Sequence, residues 1–395
     1  MKKLMILGAS QSQLPLIQAA KRLGVYTIVA STPGEWPGFA AGDEASYTDI
    51  SNPEAVLLAA QKGQIDGIAT CCLDTGVRAI GYVSENMKLS GPAAEAARIA
   101  SNKYEMKEAF LRGGVSCAKH FCVHNEAECE EALRKLTFPV VTKAVDLMGS
   151  RGIFRSNTPE EARANYKKTM EATGKDYCLI EEFIQGTVFG AEAMVQNGKM
   201  VFCMIDNTES FESYVPTPVG HSIPFEGGAD LERMAAAEVE KAIRAVGLDN
   251  CPVNCDLIRK DGKVYVLEVT GRAGATCLPE ITGYRYQTDY YEAIVKLALG
   301  EEVSVLFANP RTNAACLAKT LLSTKTGVVK RLENRNDPTN PAIRELSIDI
   351  VPGEEVRAYT NGRDRIGQIF VTDDTLSGCR NLLEEVLGKI DIEIE

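Results

Sequence analysis

The sequence predicts a multidomain chain of α/β and α+β type, with a doubly wound N-terminal domain, a larger central α/β body and a small C-terminal α+β domain. Three observations carry that expectation. The 395 residues exceed what one hydrophobic core usually holds, so two or three domains are expected, each burying its own core. Residues 2–86 alternate short apolar runs with amphipathic helical patterns, as βαβ units do. From about residue 301 the pattern changes to short strands with turns at 334–341, 352–353 and 361–362, then a final helix and a terminal strand.

Composition narrows the function. A net charge of −11 with a pI near 5.1 argues against nucleic-acid or membrane-surface partners, while a local basic pocket for phosphate stays compatible with it. The 12 cysteines are scattered through apparent strands and helices with no CxxC pair, and no secretory signal stands at the start. Free thiols in a cytoplasmic protein are therefore expected. His120, His124 and His221 are the only histidines, and no cysteine cluster has zinc-site spacing, which argues against a zinc centre. No apolar run reaches membrane-spanning length and no lipidation motif is found.

Along the chain, residues 2–7 form an apolar strand that runs into the small-residue turn 8–13 and an amphipathic helix through 23, with the next strand at 26–30. The turn lacks the full GxGxxG pattern, so a dinucleotide site is only weakly supported there. A helix over 52–61, a strand over 67–72 and a helix over 74–86 follow, and the turn cluster Ser90-Gly91-Pro92 closes a first domain at 1–92. Periodicity predicts one helix over 95–113 with Lys103 near its middle, then a helix over 126–136 and a strand over 138–144 that carries Lys143 near its end. The loop behind it holds Gly149, Ser150, Arg151 and Gly152. Exposed backbone N–H groups beside an ammonium suit a polyphosphate, although Lys143 precedes the glycines, so this is no Walker loop and an ordinary hairpin loop competes as a reading.

A helix over 159–173 leads to the run YCLIEEFIQG at 177–186, a strand with Glu181 and Glu182 ahead of Phe183 and Ile184. The strand over 190–195 carries Glu192, and Asn197-Gly198 signals a hairpin. Residues 217–224 read as an irregular loop with His221 at its centre, and a lone loop histidine is often structural or merely exposed. Helices over 230–246 and 290–299 complete the central body.

Residues 251–276 read as a β-hairpin with a carboxylate on each arm, Asp256 and Glu268. Their relative direction depends on the loop. A two-residue Asp261-Gly262 turn would put them on opposite faces, whereas a three-residue loop with Lys260 and Asp261 right-handed and Gly262 at positive φ pairs Asp256 with Val266 and puts both acids on one face. The three-residue loop is the expectation. Two adjacent acids on an apolar hairpin repel unless a cation lies between them, and Mg²⁺, held by one or two carboxylates and by substrate phosphates, suits that place. A solvated face with two unrelated acids is the competing reading.

The order of these motifs resembles the ATP-grasp superfamily, above all its branch with biotin carboxylase, the carbamoyl phosphate synthase large chain and the L-amino acid ligases, and the likeness covers almost the whole chain. It implies an ATP-grasp fold at 93–300 with a mobile lid at about 115–177, and a C-terminal domain at 301–395 similar to the last domain of the amino acid ligases. Carried over residue by residue, the resemblance implies that Lys103 and Lys143 contact the ATP phosphates under a loop of Gly149, Ser150, Arg151 and Gly152. Glu181 would accept from the adenine amino group, with Glu182, Phe183 and Ile184 as the strand that meets the ring. Asp256 and Glu268 match the metal-binding acids, with Mg²⁺ as the metal and Mn²⁺ as an alternative, and Arg272 matches the arginine facing the reacting phosphoryl group and substrate. His221, in a Gly-His-x-x-Pro context, resembles a substrate-side segment of the amino acid ligases.

Two positions depart from the family pattern. Thr270 stands where asparagine is usual, which makes it a shorter and weaker metal ligand, and Val188 replaces the ribose-binding glutamate, which leaves Glu192 as the replacement or the ribose loosely held. The implied activity is an ATP-dependent carboxylate–amine ligase that makes an amide or peptide bond through an acyl phosphate, with small-molecule carboxylate and amine substrates and a homodimer as a common state of the branch. A bicarbonate-activating carboxylase, a purine-pathway ATP-grasp enzyme and a non-catalytic nucleotide-binding module are the rivals. A biotinyl-carrier segment and a glutamine amidotransferase domain are missing from the sequence, which disfavours a complete biotin carboxylase or carbamoyl phosphate synthase chain.

Overall fold

A computed structural model of the protein describes residues 1–147, 151–211, 217–310, 312–360 and 362–395. The chain begins with β1 (Lys3–Leu7), α1 (Leu14–Arg22), β2 (Tyr26–Ser31), α2 (Pro37–Ala41), β3 (Glu44–Tyr47), α3 (Pro53–Gly63), β4 (Gly67–Ala69) and α4 (Val77–Met87). Their strands form a parallel sheet in the order β3-β2-β1-β4. Both faces are covered. Leu4 and Ile6 enter one core and Met5 and Leu7 the other, which is why β1 reads as an unbroken apolar run. At the start of α3, Asn52 accepts from the Ala55 N–H ahead of Pro53, satisfying a donor the helix cannot. Strand β4 stops at Ala69, short of the predicted 72, because the chain turns away to join residues 271–274. There Cys72 N–H donates to the Ala273 carbonyl at 3.1 Å.

The predicted single helix over 95–113 is two helices, α5 (Ala94–Ala100) and α6 (Lys103–Arg112). Asn102 leaves the helical region at φ −132° and its side chain accepts from the N–H groups of Tyr104 and Glu105. Such a cap contributes about 1 kcal/mol and starts a new helix, so Lys103 lies at a helix start and not mid-helix. Next come β5 (His120–Val123), α7 (Glu126–Lys135), β6 (Val140–Lys143), β7 (Ile153–Ser156), α8 (Pro159–Ala172) and β8 (Cys178–Glu182), whose strands pair antiparallel in the order β5-β8-β6-β7. Val123, Val140, Cys178 and Ile180 turn inward onto α7 and α8. By the two-residue period, Val141, Lys143, Leu179 and Glu181 line the opposite face.

The remaining elements are β9 (Thr187–Gln196), β10 (Lys199–Phe211), β11 (Thr217–Ile223), α9 (Ala229–Val246), β12 (Cys251–Lys260), β13 (Lys263–Thr270), α10 (Leu278–Tyr286), α11 (Tyr290–Ala298), β14 (Ala315–Leu322), β15 (Gly327–Asn334), β16 (Ile343–Ile348), β17 (Glu355–Val356), β18 (Arg365–Asp373), α12 (Leu376–Gly388) and β19 (Ile390–Ile394). Eight strands form the central sheet, β13-β12-β9-β10-β11-β14-β18-β16, so strands from the C-terminal region extend it. The expected loop at 217–224 is strand β11, sealed between β10 and β14. One face of the sheet packs on α6 and α9 through Ala191, Ala193, Leu257 and Val266. The other face carries the polar groups of a cleft.

The acidic hairpin reaches its geometry by an unexpected route. Lys260 pairs with Lys263 across a two-residue turn, with Asp261 at φ 50° and Gly262 at φ 73°, the left-handed pair that such turns require. The three-residue loop is therefore overturned. That turn alone would split the two acids between faces, but the register shifts between Asp256 and Leu257, leaving Leu267 as an extra residue, and Asp256 then pairs directly with Glu268. The row continues from Asp256 to Gly190 on β9 and Asp206 on β10. Gly190 is required there, because a Cβ would sit 2.6 Å from Asp206 Oδ2. Gly190→Ala should lower stability by about 1–3 kcal/mol, read by thermal unfolding, and most of that loss should vanish in the Asp206→Ala background. Equal losses in both backgrounds would refute the steric cause.

Candidate active site

A cavity of about 510 Å³ opens between the inner face of β6 and β8 and the polar face of the central sheet, with Ser12, Cys72 and Asp74 of the first sheet's loops at its rim. Its charged side chains come in pairs. Lys103 Nζ lies 3.1 Å from Glu268 Oε1 and donates to the Leu147 carbonyl at 3.0 Å. Lys143 Nζ lies 2.5 Å from Glu181 Oε1, and Lys107 Nζ lies 3.2 Å from the other oxygen. Arg272 Nε donates to Asp74 Oδ1 at 2.7 Å, and the Thr270 hydroxyl donates to the same oxygen at 3.0 Å.

Burial and pairing set the protonation of these groups. Burial alone would raise the Glu181 carboxyl, but the Lys107 and Lys143 ammonium groups outweigh it and hold it down at about 2. Burial works against the Lys143 charge, yet Glu181 raises its pKa overall. Asp74 is lowered because Arg272 outweighs its burial, and Arg272 is raised in turn. Asp256 is the exception. Burial first and Glu268 second push it up to about 6, against Arg272 and His221, and among the described residues no cation forms a salt bridge with it.

That shortage of positive charge is the test of a metal site. Two oxygen-bearing acids stand side by side at one register position, one of them raised by its neighbour, and the cavity beside them has room for a phosphate-bearing ligand. The donors are hard oxygens suited to Mg²⁺, which takes one or two carboxylates and completes its shell from water and phosphate. No group of three or more His, Cys, Asp or Glu ligands occurs among the described residues, which agrees with a site completed by substrate. Asp256 and Glu268 therefore fit the ion. The Thr270 hydroxyl hydrogen goes to Asp74, so the residue reaches the acid pair only through its oxygen lone pairs.

Several other expected residues also line the cavity. Phe183 and Ile184 join Val141, Ile153 and Leu179 in an apolar slot, and the Arg155 guanidinium lies 4.3 Å from the Phe183 ring centroid. Glu182 lines the cavity, but its Oε1 accepts from the Thr137 N–H at 2.9 Å. Both oxygens of Glu181 are engaged by lysines, so an adenine amino group would share them. Gly152 sits at φ 64° with its carbonyl accepting from Ala144 N–H at 2.8 Å, and Arg151 is exposed. Gly149 and Ser150 lie outside the described residues. His221 lines the cavity from β11, with Nδ1 2.7 Å from Asp206 Oδ1. Glu192 is a correction. It is fully buried with both oxygens hydrogen-bonded, beneath the turn 271–274 and against Tyr290, and is not among the residues that line the cavity.

Four site residues escaped the sequence reading. Lys107 lies one helical turn beyond Lys103, a spacing that places both on one face. Asn254 lies two residues before Asp256, hence on the same strand face. Asp74 follows the carboxyl end of β4, where ligands of parallel sheets gather. Asp206 has no local signal, being one acid at the end of an apolar run.

Residues 136–280 match the ATP-grasp domain family, and residues 319–395 match the L-amino acid ligase C-terminal domain 2 family. The solved structure of a phosphoribosylglycinamide synthetase from Anaerococcus prevotii is similar over 100% of both chains, with 40% identity and a TM-score of 0.86. That of an L-amino acid ligase from Bacillus licheniformis shares the fold at 18% identity and a TM-score of 0.85, over 100% of this chain and 99% of that one. The alanine–anticapsin ligase of Bacillus subtilis is 24% identical over 221 residues, 50% of this chain and 46% of that one. A cleft of paired lysines and acids thus lies between the β5-β8-β6-β7 sheet and the central sheet. The chain belongs to the ATP-grasp superfamily, in its family of carboxylate–amine ligases, and uses ATP and Mg²⁺. No helix among the described residues is long and apolar enough to cross a membrane.

The raised Asp256 carboxyl has a measurable consequence. Metal binding requires its ionised form, so Mn²⁺ affinity, read by titration of the nucleotide-free protein, should hold above pH 7 and weaken about tenfold per pH unit once the pH falls below about 6. Affinity unchanged down to pH 5 would remove Asp256 from the metal site.

Proposed function

We propose that the chain joins a small carboxylate to an amine, with ATP cleaved to ADP and phosphate through an acyl phosphate. The observation that supports it most is the meeting of Asp256, Glu268, Lys103, Lys143 and Arg272 in one cavity. The substrate carboxylate attacks the γ-phosphorus in line and ADP leaves. The amine then attacks the activated carbonyl, and phosphate leaves with the bonding electrons. Mg²⁺, when bound, neutralises phosphoryl oxygens and polarises them. Lys103 and Lys143 hold the phosphates, and Arg272 faces the charge that grows on the transferring group. Phe183 and Ile184 supply the apolar slot for the base, with Glu181 accepting from its amino group. His221, oriented by Asp206, and Arg365 from β18 line the substrate side.

An acyl phosphate is lost to water, so the site must close around it. In this reading residues of about 115–177, with Arg151 and Gly152, form the lid on a central domain at 93–300, between domains at 1–92 and 301–395. A second reading draws on the 40% likeness to a phosphoribosylglycinamide synthetase: a purine-pathway ligase whose substrate bears a phosphoribosyl group. A phosphate-release screen over paired amino acids, with a phosphoribosyl amine and bicarbonate as separate arms, distinguishes the readings. Release that needs two amino acids supports an amino acid ligase.

Glu268→Gln should lower ADP formation at least about 100-fold while leaving the circular dichroism spectrum and Tm close to wild type. Near-normal ADP release from a folded variant would sink the metal assignment.

A further inference from the structure

Glu192, expected to replace the ribose-binding glutamate, is not among the residues that line the cavity. Its carboxyl is fully buried on β9, yet it lies on the same sheet face as the site, in a cross-strand row that runs Thr270, Asn254, Glu192, Met204. Oε2 accepts from the Gly274 N–H at 3.0 Å and faces Asn254 Nδ2 at 3.5 Å. Oε1 lies 3.0 Å from the Tyr290 hydroxyl, which is also 3.3 Å from the Ala193 carbonyl. Asn254 in turn presents Oδ1 to Arg272 Nη1 at 3.2 Å.

The polarity of this chain is determined by its ends. Arginine only donates, so the asparagine oxygen must face it, and the asparagine amide is then left to donate toward Glu192. The turn lies directly on the carboxyl. A Cβ on Gly274 would sit 2.4 Å from Leu278 Cδ1, 2.9 Å from Asn254 Nδ2 and 3.0 Å from Glu192 Oε2. We propose that Glu192 is a positioning residue that holds Arg272 in place, through Asn254 and through the turn of residues 271–276, and has no contact with nucleotide. The proposal rests on the ligase reading for its kinetic arm alone.

The protonation state agrees with this geometry. Burial pushes the Glu192 carboxyl up to about 8, against the Gly274 N–H, the Tyr290 hydroxyl and Arg272, with Asp206 adding to the rise. As a neutral acid it donates from Oε1 to the Tyr290 oxygen, whose own hydrogen goes to the Ala193 carbonyl, while Oε2 accepts from Gly274 and Asn254. Every polar atom of the group is then satisfied without a buried charge. Glutamine reproduces the same pattern, with its amide donating to Tyr290 and its oxygen accepting from Gly274.

The test compares Glu192→Ala and Glu192→Gln in the full chain by three measurements. MgATP affinity should stay within about twofold of wild type in both. Amide exchange of residues 271–276, read by mass spectrometry, should rise about tenfold in Glu192→Ala and stay at the wild-type rate in Glu192→Gln. With substrates found by the phosphate-release screen, kcat should fall about 10- to 100-fold in Glu192→Ala with KM for ATP unchanged, and Glu192→Gln should restore it. A tenfold loss of MgATP affinity in Glu192→Gln would make Glu192 a nucleotide ligand and overturn the proposal. So would failure of Gln to restore what Ala loses, or unchanged exchange at 271–276 in Ala. If Ala does not fold, wild-type exchange and MgATP affinity in Gln support the proposal and their loss refutes it. Absence of turnover with every substrate pair counts against the ligase reading, while exchange and nucleotide affinity still decide the role of Glu192.

Discussion

The structure depends on keeping two like charges side by side. Asp256 and Glu268 meet at one register position of a sheet whose opposite face is solid hydrocarbon, and their repulsion would disfavour the hairpin without positive charge nearby. Lys103 supplies part of it at 3.1 Å from Glu268, while Asp256 stays raised. The other cations of the cleft are paired with acids: Lys143 and Lys107 share Glu181, Arg272 has Asp74 and Arg365 has Asp349. Paired in this way, the cations tolerate burial.

The central sheet is the device that places these groups. A residue's face is decided by register alone, so a single extra residue moves a whole set of side chains from core to cleft. The extra residue at Leu267 corrects the two-residue turn and returns both acids to the cleft. Gly190 leaves a gap between Asp256 and Asp206, and the space is filled by the Asp206 carboxylate leaning toward His221. Strand β11, which carries His221, is held on one side by β14 from the C-terminal region, so this side of the cleft is built from segments about a hundred residues apart.

Much of this was legible in the sequence. The apolar run of β1, the acidic hairpin, the strand ending at Lys143 and the YCLIEEFIQG run are local patterns, and local patterns reflect what a residue's immediate neighbours bury. Their order was enough to reach the superfamily. One miss is local, and the others come from a partner distant in sequence. Periodicity ran through Asn102 because helical propensity on either side is high, and only the cap hydrogen bonds break it. Residues 217–223 read as a loop because Pro218 and Gly220 are poor strand formers, yet two neighbouring strands supply their hydrogen-bond partners. Glu192 read as a ligand because an acid in an apolar strand suggests function, while its partners Gly274 and Tyr290 lie more than eighty residues away.

The sequence by itself determined most of the elements, the family and the identity of the charged residues, since spacing along one strand or helix decides which side chains share a face. The tertiary structure alone decided which charge meets which. Asp256 faces Glu268 through a bulge, Glu181 lies between two lysines, and Glu192 sits beneath a turn. Coulomb energy and hydrogen bonding act over a few ångströms, and the chain brings groups that close from positions that no local pattern connects.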